Sequence, residues 1–110
     1  MKLPNRENAY IPPSKLYDYL LSSVHSVGKW KASFFRAHGF DETNGDLLKE
    51  KLMTIIHFEE VKDVARSLHG TKYIVEGEFE TPVGSLIKLR TVWIIDTHPD
   101  RPRFVTAYPI

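Results

Sequence analysis

Cysteine is absent from all 110 residues. Disulfides and zinc–thiolate sites are therefore excluded, and the redox compartment is left open. No run of about eighteen apolar residues occurs, so no membrane-spanning helix is expected. The start, Met1-Lys2-Leu3-Pro4-Asn5-Arg6, has no apolar stretch behind its lysine. No signal peptide is expected from it, and a cytoplasmic protein is the default expectation. A P-loop and a GxGxxG turn are both missing, which argues against a nucleotide cofactor. A GxSxG elbow is missing too, and without cysteine no nucleophilic triad is supported. No two histidines stand at i, i+4 or as HxH, and no carboxylate completes a triad, so neither a metal nor any other cofactor is expected. Repeats and low-complexity segments are likewise lacking.

What is present is an ordinary globular composition, 42% hydrophobic and 26% charged. A chain of this length is expected to be one domain, residues 1–110, with a core that needs no metal or disulfide. The net charge of +1 averages over an uneven distribution. From Pro12 to Phe40, Lys15, Lys29, Lys31 and Arg36 stand against Asp18, giving +3. From Asp41 to Asp63, three lysines stand against seven carboxylates, giving −4. Lys88, Arg90, Arg101 and Arg103 against Asp96 and Asp100 return +2. Two basic segments can form one basic face in the fold; the plainer alternative is a mixed, solvated surface.

The prolines of Ile11-Pro12-Pro13 make residues 1–13 an extended lead-in. Helices are expected over about 14–58. Ser14 can cap a first one whose apolar face is Leu16, Tyr19 and Leu20. A second spans about Gly28 to His38, with Trp30, Phe34 and Ala37 as its buried stripe and Gly39 as a left-handed C′ residue. Thr43-Asn44-Gly45-Asp46 opens a third, with Leu48, Leu52, Ile55 and Ile56 as its core face. Residues from about Glu60 to Leu68 read as helix or strand, with the His69-Gly70 turn favouring strand. The rest, to residue 110, alternates as strands: about Thr71–Glu80, Leu86–Ile95 and Arg103–Tyr108, with the loop His98–Pro102 before the last. Short connections favour antiparallel pairing. The expected class is α+β: N-terminal helices on one face of a twisted, mainly antiparallel sheet of three to four strands.

Chemistry concentrates around GKWKASFF. His25, Lys29, Lys31, Arg36 and His38 fall within fourteen residues. Such a collection suits phosphate, which calls for fixed positive charge and a group that titrates near neutrality. A lone histidine is also an ordinary surface residue, and lysines on a helix are often only solubilising. In Leu86–Ile95, alternation puts Lys88, Arg90, Val92 and Ile94 on one side and Leu89, Thr91, Trp93 and Ile95 on the other. Arg90 in an apolar central strand must be paired or lie in a wet cleft. Its planar fork fits a phosphate, or it forms an ion pair with Glu76 or Glu78. Both readings stand. Thr106 and Tyr108 share one side of the last strand with Phe104. Their hydroxyls can orient a phosphodiester, but strand propensity alone accounts for them. His38, His57, His69 and His98 are read as structural or surface residues.

Two runs resemble a small uncharacterised bacterial domain family. LPNRENAYIPPSKLYDYLL followed by HSVGKWKASFF is similar to its first signature, an H-P-x-G-x-x-K-A-x-F-F helix opening. RTVW with PRFVTAYP is similar to its second. Ser26 departs from the pattern, where proline is more usual. The element order, ending in a T-A-Y-P strand, resembles the superfamily of barnase, colicin D and RelE-like proteins, metal-independent ribonucleases that are often toxins. The resemblance implies RNA as substrate, a small antitoxin or immunity protein as partner, and His25, Lys31, Arg90 and Thr106 as catalytic positions. Lys29, Lys88 and Tyr108 are then expected to bind substrate. On that expectation His25 does acid or base work, Lys31 and Arg90 stabilise the phosphate, and Thr106 orients the scissile group. The alternative is a non-catalytic module binding RNA or protein through the same face.

Overall fold

Alternating side chains in the second half of the chain build a four-stranded antiparallel meander in the order β1-β2-β3-β4. The strands are β1 Val61–Ser67, β2 Gly70–Glu80, β3 Leu86–Ile95 and β4 Arg103–Pro109. The computed structural model describes residues 1–98 and 100–110; Pro99, in the expected loop before β4, lies outside the described residues. The ambiguous segment after Glu60 is strand, paired with β2 from Val61↔Val75 to Ser67↔Gly70. In β3 the side chains at Ile87, Leu89, Thr91 and Trp93 are buried, while Lys88 and Arg90 point the other way. Period-two alternation thus sorts the central strand as expected.

Three helices precede the sheet and pack with it, giving the α+β class. The first, α1 Pro13–Lys15, widens into a π-helical turn at Leu16–Leu20. It begins at Pro13 with Pro12 at the cap position, not at Ser14. The reason is physical: a proline ring is preset for the first helical turn, where its missing N–H costs nothing. Helix α2 is Lys29–Ala37 and α3 is Gly45–Phe58. The expected core face of α3 is buried at Leu48, Leu52, Ile55 and Ile56. The lead-in is not wholly extended; it holds one 3-10 turn, Arg6–Asn8. Beyond that turn Tyr10 pairs with Arg103 of β4. The Tyr10 N–H donates to the Pro102 carbonyl and the Phe104 N–H to the Tyr10 carbonyl, both at 3.0 Å. This places α1 alongside the β4 edge of the sheet.

Two details differ from the sequence pattern. The buried residues of α2 are Ala32 and Phe35; Trp30 is 76% exposed and Ala37 lies on the surface. The helix is therefore turned by about one residue from the expected stripe. The second difference is in β4. Thr106 sits opposite Val92 but Phe104 sits opposite Trp93, so Val105 is an extra residue in the ladder. Such a bulge re-aims the side chains that flank it. Here it moves Phe104 off the side of Thr106 and Tyr108 and into the core, edge-on to Trp93 at 5.3 Å. Each fully buried side chain of this size contributes about 1.5–3 kcal/mol.

The end of α2 follows its sequence closely. Gly39 has φ 89, the left-handed conformation that a C′ glycine supplies. The Gly39 N–H donates to the Arg36 carbonyl (3.1 Å), and the Phe40 N–H to the Phe35 carbonyl (2.9 Å). Phe40 is fully buried and packs edge-on against Phe35 and Phe79.

Candidate functional site

The turn between α1 and α2 is organised by two side chains. Ser22 Oγ accepts hydrogen bonds from the Val24 and His25 N–H groups, at 3.3 and 3.1 Å. His25 Nδ1 in turn accepts from the N–H groups of Val27 and Gly28, at 3.0 and 2.9 Å. Two amide donors on Nδ1 place the proton of the neutral ring on Nε2. Gly28 is helical, so its value is space rather than conformation: a Cβ there would run into the Tyr19 carbonyl oxygen. The group packed closest against the Gly28 backbone is Tyr19.

Tyr19 is the point where the pieces meet. It projects from the π-helical turn, a local widening often found at functional sites. Its hydroxyl lies 2.9 Å from Thr106 Oγ1 on β4. The His25 ring stands edge-on to it at 5.1 Å between centroids. Lys15 Nζ is 5.1 Å from the ring centroid and Lys31 Nζ is 5.3 Å away. Burial of the phenol pushes its pKa up, but hydrogen bonding by Thr106 and Lys31 and the charges of Lys31 and Lys15 outweigh that, so the net shift is downward. His25, Lys31 and Thr106 are thus gathered around one phenol that the sequence pattern assigned to the core.

Arg90 lies further along the same side of the sheet. In register it is flanked by Glu76 on β2 and Tyr108 on β4. Its Nε donates to Glu76 Oε2 at 2.7 Å, with Nη2 at 2.6 Å from the same oxygen. Of the two readings of Arg90, the ion pair with Glu76 is present. Hydrogen bonding to Glu76 and then to Tyr108 raises the pKa of the guanidinium, and hydrogen bonding to Arg90 lowers that of Glu76. Lys88 faces Glu78 in register and is exposed. Lys29 Nζ lies 6.0 Å from the exposed Trp30 ring, with no cation–π contact to Tyr19 among the described residues. The chain therefore brings together His25, Lys31 and Thr106, and separately Arg90 and Tyr108. The two sets are joined by β4, where Thr106 and Tyr108 are about 7 Å apart along the strand.

Two further residues belong to this corner. Lys15 and Tyr19 stand four apart in KLYDYLL, the spacing that puts side chains over one another on a helix. That spacing was visible in the sequence; the contact of Tyr19 with β4 was not. Arg36 is used structurally, donating to the Leu21 carbonyl (2.9 Å) and to Glu42 (2.7 Å). His38 bonds Ser85 at 2.7 Å. Among the described residues no three His, Asp or Glu side chains come together as a metal site, and no helix is long and apolar enough to cross a membrane.

No curated protein matches this sequence. Among solved structures, the fold is similar to a chain of a contact-dependent growth inhibition toxin–immunity protein complex from Klebsiella pneumoniae 342. The TM-score is 0.74 at 20% sequence identity, covering 97% of each chain. At that identity the likeness is one of fold. Residues 2–110 match a single family model, and the chain belongs to that family, DUF6883, a domain of unknown function.

Proposed function

We propose that this chain is an endoribonuclease that works with its own side chains, without a metal, as the toxin of a bacterial conflict system. The observation that carries the reading is the meeting of Tyr19, His25, Lys31 and Thr106 at one point. Residues from two distant motifs converge there as cations and hydroxyls. Attack of an RNA 2′-hydroxyl on the neighbouring phosphorus builds negative charge on the phosphoryl oxygens. Fixed donors aimed at that charge lower the barrier. Lys31 and the Nε2–H of His25 are placed to supply such donors. Thr106 and Tyr108 line the strand between Lys31 and Arg90, so a phosphodiester lying along β4 meets hydroxyls first and the guanidinium at its far end. The fold likeness to a chain of a toxin–immunity protein complex supports the toxin assignment.

The partner expected of such a toxin is a small immunity protein. Val24, Val27 and Trp30 are large exposed apolar side chains close to His25 and Lys29 in the chain, and we assign them to one apolar patch. Patches of this kind with a cationic rim suit an acidic protein partner, and one seated there would also cover the site. Lys88, exposed on β3, and Lys29, exposed on α2, lie outside the Tyr19 cluster and are assigned to binding more distant parts of the RNA.

The test is induction of the chain in bacteria alongside His25→Ala and Arg90→Ala, followed by incubation of the purified proteins with total RNA. Wild type is expected to arrest growth and cut RNA, with both variants weaker. A chain that binds RNA and leaves it whole, free or ribosome-bound, would make this a binding module instead.

A further inference from the structure

We propose that Tyr19 is the general acid of the site, handing its phenolic proton to the 5′-oxygen that leaves when the RNA 2′-hydroxyl attacks phosphorus. This rests on the ribonuclease reading and adds the group that moves the proton. The structure makes His25 a poor choice for that work. An imidazole that gives up its Nε2 proton as an acid must keep one on Nδ1. In this turn Nδ1 faces the N–H groups of Val27 and Gly28, so that proton would point at two other donors.

Tyr19 has the opposite surroundings. Four groups face its phenol from four elements: Lys15 from α1, His25 from the turn, Lys31 from α2 and Thr106 from β4. Two of these are ammonium groups and none is a carboxylate, so the phenolate left after proton transfer is stabilised. Either hydroxyl can donate in the Tyr19–Thr106 hydrogen bond; when Thr106 Oγ1 donates, the phenolic hydrogen is left to point at substrate. The downward displacement of the phenol's pKa agrees with this arrangement.

The step balances as follows. The bond from O2′ to phosphorus forms, and the 2′-hydroxyl proton passes to a water molecule. The bond from phosphorus to O5′ breaks, and the departing oxygen takes the Tyr19 proton. Solvent then reprotonates the phenolate. The products are a 2′,3′-cyclic phosphate and a 5′-hydroxyl end.

The test compares wild type with Tyr19→Phe on two oligoribonucleotides, one ordinary and one with sulfur in place of the bridging 5′-oxygen. Tyr19→Phe is expected to slow the ordinary substrate by about 10²- to 10⁴-fold, the usual contribution of a general acid. The sulfur substrate should be cut at close to the wild-type rate, because a thiolate leaves without a proton. Wild-type activity should fall on an alkaline limb below the ordinary phenol value of about 10. Thr106→Val, which keeps shape and removes the hydroxyl bonded to the phenol, should move that limb to higher pH. Equal slowing of both substrates by Tyr19→Phe, or full activity on the ordinary one, would overturn the inference while leaving the ribonuclease reading intact. A wild type that cuts neither substrate would overturn both.

Discussion

Two parts of one surface use their cations in opposite ways. In the corner between α1, α2 and β4, Lys15 and Lys31 flank a phenol and make no ion pair among the described residues. On the open side of the sheet, Arg90 is held by Glu76, whose side chain is only 14% exposed. A cation already bonded to a carboxylate must give up that partner before it can hold an anion, whereas a lysine beside a phenol gives up far less. On the proposed function, the corner is therefore the place where an arriving phosphate would gain most. On the same proposal, Arg90 would act only where substrate displaces Glu76 or reaches it through Tyr108.

The strongest way to break this contrast is to remove one cation at a time. Lys31→Ala should lower RNA cleavage by about 10²- to 10³-fold, the cost of losing a donor aimed at developing charge. Arg90→Ala should cost less, and Lys29→Ala least of all. If Arg90→Ala proves the more damaging, the working centre lies on the sheet and the contrast is reversed.

Next in size is the packing that holds the corner together. Gly28→Ala should destabilise the fold by about 1–3 kcal/mol, because a methyl group must displace the Tyr19 carbonyl. Chemical denaturation measures this, and cleavage should fall with it. An unchanged midpoint would mean that α1 and α2 adjust independently. Smaller again is the turn. His25→Ala removes an acceptor from two amide groups and should cost about 0.5–1.5 kcal/mol, part of which His25→Asn should restore.

The smallest effect is a pH dependence confined to the open sheet. Hydrogen bonding to Arg90 depresses the folded-state pKa of Glu76. A depressed carboxyl stabilises the fold at pH values above its unfolded pKa, and that stability is lost as pH falls through the folded value. Unfolding measured between about pH 5 and pH 3 should therefore show an acid-sensitive increment that Arg90→Ala removes. Persistence of the increment in Arg90→Ala would assign it to other carboxylates.

Much of the scaffold was legible because its signals are local. Alternation placed Leu86–Ile95, a four-residue apolar spacing placed α3, and Gly39-Phe40 marked the end of α2. Where reading failed, tertiary contacts had decided. Trp30, Phe34 and Ala37 make the more apolar stripe on paper, yet α2 buries Ala32 and Phe35. Gly28 docks against Tyr19 at the start of that helix, a contact of which spacing alone carries no trace. Strict alternation grouped Phe104 with Thr106 and Tyr108 until the extra residue at Val105 separated them. Tyr19 was hidden for a related reason: Leu16, Tyr19 and Leu20 form a proper helical face, and only its hydroxyl at Thr106 shows its other use. His25, Lys31 and Thr106 were each suspected in the sequence, but the phenol that joins them was not.

The most direct test of the account is the chemistry of the RNA ends. Purified protein incubated with total RNA in the presence of a metal chelator should produce fragments ending in 2′,3′-cyclic phosphate and 5′-hydroxyl groups, with Lys31→Ala sharply slower. Intact RNA from the wild-type protein, or cleavage that Lys31→Ala leaves unchanged, would contradict a ribonuclease centred on the Tyr19 corner.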